Sequence, residues 1–311
     1  MSGAPGSSAP EVLRAGHGRA IALMVLAAVL WSTAGVVSRH LSPALLAEGK
    51  FELVFWRSLF AALGVAGYLA WTRYDLPGWL RRAGWPGIVS CLCWGGMFTA
   101  FMVALAYTSV ARVLVVSALG PLMTAVLARL LLRAPLPTRT WIAIIAASIG
   151  LTWMVAHAGQ GGARPAGHDL LGMGIAALVP LCSAINLVTL QRFGRTLDLV
   201  PAVMGGAVLS AAFAFFLVGG FAASALDVSL LGALGLLQLA LPCALMVVAA
   251  RHLSAPEVAL LALLEIVLGP IWAWLGAGEV PARATLGGGA LVLAALVGNE
   301  LAGRRAQLAR R

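Results

Sequence analysis

Charge is scarce in this chain. Only 10% of its 311 residues are Asp, Glu, Lys or Arg, and 61% are hydrophobic; soluble domains carry roughly 25% charged residues. A water-soluble fold of that composition has nowhere to hide its apolar surface. Lysine is nearly absent, with Lys50 standing alone. No Gly-x-x-x-x-Gly-Lys-Ser/Thr run occurs, so the chain has no phosphate-cradling loop for a nucleotide-driven motor. Cysteine is sparse as well. Cys91, Cys93, Cys182 and Cys243 all sit inside apolar runs, and Cys-x-Cys spacing turns two thiols about 200° apart on a helix. They read as small packing residues rather than metal ligands. His17, His40, His157, His168 and His252 fall at termini or between apolar runs. That leaves no nucleophile–base or metal constellation at depth for an intramembrane enzyme, and no cofactor or metal is expected.

What the chain does have is ten apolar runs, at 20–38, 53–71, 85–107, 110–132, 141–157, 170–190, 199–220, 230–250, 255–277 and 285–301. Each lies within the roughly 17 to 25 residues that carry a helix across a bilayer. None alternates with the period of a barrel strand. The expected fold is an all-α membrane protein with ten transmembrane helices. Net charge +10 would suit a nucleic-acid partner, but the placement of the bases argues for none. If the runs alternate direction, fifteen arginines share one side with the N-terminus, while only Arg39, Lys50, Arg164 and Arg283 lie in loops of the other. That bias follows the positive-inside rule and makes both termini cytoplasmic. The tail at 304–311 also suits anionic lipid. Residues 1–18 read as a disordered cytoplasmic segment rather than a cleaved signal. Short loops and no outer glycosylation sequon suit a bacterial inner membrane.

The fourth and ninth runs repeat one layout. SVARVLVVSALGP at 109–121 and SAPEVALLALLEI at 254–266 start 145 residues apart. Each leads through a long apolar stretch into a Pro/Arg hinge (135–139 and 280–283), then into a Gly/Ala-rich run. An odd number of spans per repeat turns the two halves opposite ways in the membrane. The chain then divides into a first five-helix repeat at 19–157, a Gly/Pro-rich connector at 158–168 and a second repeat at 169–303. Inverted repeats of this kind place a substrate site near the bilayer midplane.

The stretches ALAYTSVARVLVVSALGPLMTAVLARLLL (104–132) and ARHLSAPEVALLALLEIVLGPIWAWLGAGEVPARATLGGGALVLAAL (250–296) resemble the EamA family of the drug/metabolite transporter superfamily. LWSTAGVVSRHL (30–41) and FWRSLFAAL (55–63) are similar to that family's first and second spans. The resemblance implies ten helices in two inverted repeats, cytoplasmic termini and a central cavity. It also implies secondary transport of small metabolites by alternating access, most often export of amino acids or related amphipathic compounds. Two positions depart from the family pattern. Ala134 stands where the fourth span usually ends in Glu, although Glu279 keeps that residue in the second repeat. The usual Leu-Glu-Pro is Leu264-Glu265-Ile266, with Pro270 one turn later.

Polar groups at depth are the candidate site residues. Glu265 lies near the middle of the ninth run, where an ionised acid costs about 2.5–3.5 kcal/mol. It must face a cavity, pair with a base or be protonated. It is either a proton-coupling acid or substrate counter-charge, or an acid that locks packing. Arg57 is its possible charge partner, or a snorkelling base. Trp31 and Trp94 could wall an amphipathic pocket. Ser117, Asn186 and Gln238 are substrate contacts or interhelical hydrogen bonds. Trp56, Trp71, Trp79, Trp85 and Trp141 read as interface anchors. Pro121, Pro180 and Pro242 interrupt helices, where freed carbonyls can line a cavity. The expected partners are a small-molecule substrate, the lipid bilayer and, as coupling ion, protons. A non-transporting scaffold would instead carry a recognition domain, and the chain has none.

Overall fold

The computed structural model describes residues 9–38, 40–107, 113, 116–117, 119–133, 136–156, 166–277 and 283–308. The chain opens with α1 (Ala9–Ser32) and α2 (Ala34–Ser38), followed by the short α3 (Pro43–Glu48). Then come α4 (Lys50–Trp71), α5 (Leu76–Tyr107), α6 (Gly120–Leu132), α7 (Thr138–Ala156), α8 (Ala166–Phe193) and α9 (Val200–Phe215). Next, α10 (Ala225–Ala233) runs through a π-helical stretch, Leu234–Ala240, into α11 (Leu241–Ala249). The last elements are α12 (Ala255–Ala262), α13 (Leu264–Ala277) and α14 (Arg283–Leu308). Among the described residues there is no strand. Among the described residues four stretches are long and apolar enough to cross a membrane: Lys50–Trp71, Leu76–Ala104, Leu170–Phe193 and Ala225–Ala249. Gly16–Ser32, Gly120–Leu132, Val200–Phe215 and Leu286–Asn299 are apolar but shorter.

The helices stop and bend for local chemical reasons. At the end of α1, Ser32 Oγ donates to the Val29 carbonyl at 2.6 Å and Thr33 Oγ1 to the Leu30 carbonyl at 2.7 Å. Hydroxyls that bond back to carbonyls compete with the amide ladder, and the path breaks at Thr33 before α2. Gly84 bends α5 with φ 50° and ψ −151°, a conformation that only glycine adopts freely. Pro242, in the first turn of α11, has no N–H for the carbonyl four residues back. The ladder ahead of it widens, and the Leu241 N–H donates to Leu236 O, five residues back. Pro180, in contrast, sits inside a continuous α8, so no break occurs there.

The molecule is apolar outside and polar in parts of its interior. Ile142, Ile145 and Ile149 form an exposed stripe on α7, and Leu286, Leu293 and Val297 are exposed on α14. Ser58, Ser90, Thr124, Asn186 and Ser210 are buried. That is the distribution for a protein whose solvent is lipid, where helices associate through close packing and interhelical hydrogen bonds. Ser58 and Thr99 both donate to Ser210 Oγ at 3.1 Å, joining α4, α5 and α9. Gly206 lets α9 approach α5 so closely that a Cβ there would lie 2.8 Å from Gly95 N and 2.9 Å from Cys91 O.

The helix pairs follow a pattern. α4 packs on α9, α7 on α14, and α6 on α12. α5 packs on α8 as α11 packs on α1, and α6 on α8 as α12 does on α1. α5 meets α9 as the π-helical stretch meets α4. Exchanging α1 with α8, α4 with α9, α5 with the path from α10 to α11, α6 with α12 and α7 with α14 maps each of these pairings onto itself or another.

Candidate functional site: a cavity between broken helices

A cavity of about 190 Å³ lies where α1, α5, α6, α8, α11, α12 and α13 converge. Its wall includes Trp31, Trp94, Met97, Ser117, Pro121, Pro180, Ser183, Met246, Ala259, Ala262 and Glu265. The break between α12 and α13 shapes one side. There the Leu263 N–H donates to Leu260 O and the Ile266 N–H to Leu263 O, both at 3.1 Å and both three residues back. That tightening takes the usual donors away from the Ala259 and Ala262 carbonyls, and both residues line the cavity. Glu265 sits in the first turn of α13, where the partial positive charge of a helix N-terminus favours a carboxylate.

The break at Thr33 shapes another side. Trp31 precedes it, and Gln238 Nε2 donates to the Trp31 carbonyl at 3.3 Å. Ser32 Oγ also accepts from Trp272 Nε1 at 2.8 Å, which ties α1 to α13. Ser117 donates to the Val113 carbonyl at 2.9 Å, which leaves its oxygen as an acceptor in the wall. Trp94 is 3% exposed and stacks near Phe98 at 5.5 Å. Its Nε1–H is buried without a partner.

Four of the residues singled out from the sequence, Trp31, Trp94, Ser117 and Glu265, therefore meet in one cavity. Three lie outside its lining. Asn186 is fully buried and accepts from Ser90 Oγ at 2.7 Å, while its Nδ2 has no partner. Gln238 belongs to the π-helical stretch and braces Trp31, with Oε1 unpartnered. Arg57 is half-buried. Among the described residues no ion pair within 4.0 Å joins Arg57 to Glu265. Met97, Leu187 and Met246 complete the wall as apolar helix residues with no sequence mark of their own. Ala134, Glu279 and Arg112 lie outside the described residues.

The structure corrects the reading of Trp79. It is 4% exposed rather than at a lipid interface, and its Nε1 donates to the Asp198 carbonyl at 2.6 Å. Trp79 lines a second cavity of about 430 Å³ with Tyr74, Arg82, Phe193 and Asp198. Burial there, and then the Asp198 charge, holds the Tyr74 phenol above its ordinary pKa. The Ser254-x-x-Glu257 and Ser224-x-x-Asp227 spacings both form capping boxes.

An all-helical chain with apolar side chains outward and a polar-edged cavity among interrupted helices is a multi-pass membrane protein. Residues 18–156 match the model of the EamA-like transporter family. That stretch is similar to the membrane transporters of this family. One solved structure, a crystal structure of a protein, superimposes with a TM-score of 0.78 at 18% identity, over 92% of this chain and 97% of the other. It shows a shared fold. No curated protein matches the chain.

Proposed function

We propose that the chain is a secondary carrier of small amphipathic metabolites, with amino acids and related compounds as the substrate class and export as the direction. The observation that carries this reading is the cavity between broken helices, with Glu265 in its wall and no ion pair within 4.0 Å from Arg57. A structural acid–base pair would close that gap, since an ionised group at depth is costly until paired. An acid in the cavity wall with no ion pair suits a substrate that carries an ammonium group to meet Glu265. Trp31 and Trp94 supply apolar surface, and Ser117 and the freed carbonyls supply polar contacts. Helical residues fall in each of the ten apolar runs, which supports ten spans. The exchange pattern of helix pairs supports two inverted five-helix repeats, and the family match at 18–156 coincides with the first of them. The membrane is read as a bacterial inner membrane with both termini cytoplasmic. Proton exchange through Glu265 is the proposed coupling.

The test is uptake of labelled amino acids and amines into proteoliposomes, with and without a pH gradient, for wild type and Glu265→Gln. Saturable, gradient-dependent uptake that the variant loses supports the reading. Uptake that Glu265→Gln leaves unchanged at every pH removes Glu265 from the cycle.

A further inference from the structure

The second cavity, of about 430 Å³, shares no lining residue with the one between the broken helices. Its charged lining residues are Arg82, ahead of the kink in α5, and Asp198, in the connection between α8 and α9. Neither charge is used up. Arg82 Nη2 donates to Asp75 Oδ2 at 3.3 Å in an exposed pair, and a guanidinium carries more donors than that bond uses. Asp198 takes Arg251 Nη2 at 2.7 Å and Val200 N at 3.1 Å on Oδ1, so Oδ2 keeps acceptor capacity. Thr196, also in the wall, donates to the Phe193 carbonyl at 3.1 Å and keeps its oxygen as an acceptor. Among the described residues no ion pair within 4.0 Å joins Arg82 to Asp198. A base and an acid that face one cavity without pairing with each other suit a ligand carrying both signs.

The surroundings put this cavity at the level of lipid head groups. Trp71 and Trp85 are exposed on either side of it in the chain, and indoles favour the membrane–water interface. Arg73, Arg81, Arg192 and Arg195 are exposed on the same connections. Gly84 lines the cavity at the kink, and a Cβ there would meet nothing nearer than Pro86 Cδ at 3.7 Å. Beyond the kink, Trp85, Ile88 and Leu92 run along one exposed face of α5. Trp85 meets Phe193 of the cavity wall at 5.0 Å between ring centroids, so this apolar face begins at the cavity's rim.

We propose that this cavity binds the head group of a membrane aminophospholipid. Its phosphate meets Arg82, its primary ammonium meets Asp198 Oδ2 and Thr196, and its acyl chains lie along Trp85, Ile88 and Leu92. Basic pockets between membrane helices are established places for lipid head groups; the acid in this one selects for an amine. A lipid with only negative charge brings nothing to offset the Asp198 carboxylate, and a trimethylated amine has no N–H to donate. The bound lipid bridges the α4–α5 and α8–α9 connections, and so the two halves of the chain. Lipid binding is read without transport, so the proposal stands or falls apart from the carrier reading.

The test is native mass spectrometry of the full chain in detergent, titrated in turn with phosphatidylethanolamine, phosphatidylglycerol and phosphatidylcholine. Phosphatidylethanolamine binds tightest to wild type. Arg82→Gln weakens that binding about tenfold, the size of one lost hydrogen bond to a charged group. Arg81→Gln, at an exposed position outside the cavity lining, leaves it unchanged. Asp198→Asn abolishes the preference over phosphatidylglycerol. Arg251→Gln, which breaks the same ion pair but keeps the carboxylate, retains it. If Asp198→Asn unfolds the chain, Thr196→Val at an exposed position carries that arm by lowering the preference. Soluble glycerophosphoethanolamine competes weakly, because it has no chains to lie on α5. Equal binding of the three lipids, or a loss in Arg82→Gln that Arg81→Gln matches, overturns the site. A soluble head group that binds as tightly as the lipid overturns the membrane as its source.

Discussion

Glu265, Trp94 and Asn186 are buried polar residues that differ in what holds them. Glu265 stands at a helix start in a cavity wall, and its place was legible because an acid amid apolar residues is conspicuous. Trp94 was legible only as an aromatic at depth. That its N–H has no partner depends on the packing of α5 against α9, which no single run encodes. Trp94→Phe removes an unbonded donor but also ring volume from a buried site, so it should destabilise by about 0.5–3 kcal/mol, while the apparent KM for substrate rises. A thermal melt and a transport titration on the same preparation check both halves. Asn186 was equally open to a ligand or a structural role, and Ser90 is what it touches. Truncating Asn186 leaves the Ser90 hydroxyl without its acceptor. In a Ser90→Ala/Asn186→Ala double-mutant cycle the coupling should be about 0.6 kcal/mol and no more than about 1.7 kcal/mol, the range for hydrogen bonds between membrane helices. A coupling of zero would mean that the pair adds nothing to stability.

The helical segments were largely legible, because length and hydropathy alone mark a run that can cross a bilayer. Their interruptions were not. Proline was the natural guide, yet α8 passes straight through Pro180, whereas α1 and the α12–α13 path break at Thr33 and Leu263 without a proline at the break. Hydroxyl back-bonding and contacts with neighbouring helices decide those sites. Close approach by glycine is also set by the partner helix. A Cβ at Gly206 meets Gly95 N and Cys91 O of α5, while one at Gly67 meets nothing within 4 Å. Gly206→Ala should therefore cost about 1–3 kcal/mol through forced helix separation. Gly67→Ala should be neutral or stabilise by about 0.5–1 kcal/mol through helix propensity. Unfolding in detergent, read by circular dichroism, separates the two. Equal effects at both glycines would contradict the packing account.

For the whole molecule, the fourth and ninth runs share a layout 145 residues apart, and the exchange pattern of the helix pairs is what the proposed inverted repeats would produce. The carboxylate joints at Glu52, Asp198 and Asp227 were not foreseen. Each acid lies near a helix start, where an acid is unremarkable in sequence; Glu52 and Asp227 accept from donors of the other half, and Asp198 from Arg251. In a carrier, substrate crosses through a cavity reached from one face at a time. Counterflow tests it most directly. Proteoliposomes are preloaded with an excess of an unlabelled compound found in the uptake panel, and labelled compound is then added outside. The account predicts a transient accumulation of label above its equilibrium level, because exchange through an alternately open site is faster than net movement. Label that rises only to equilibrium, with no acceleration by the internal compound, would contradict a carrier and indicate an open pore.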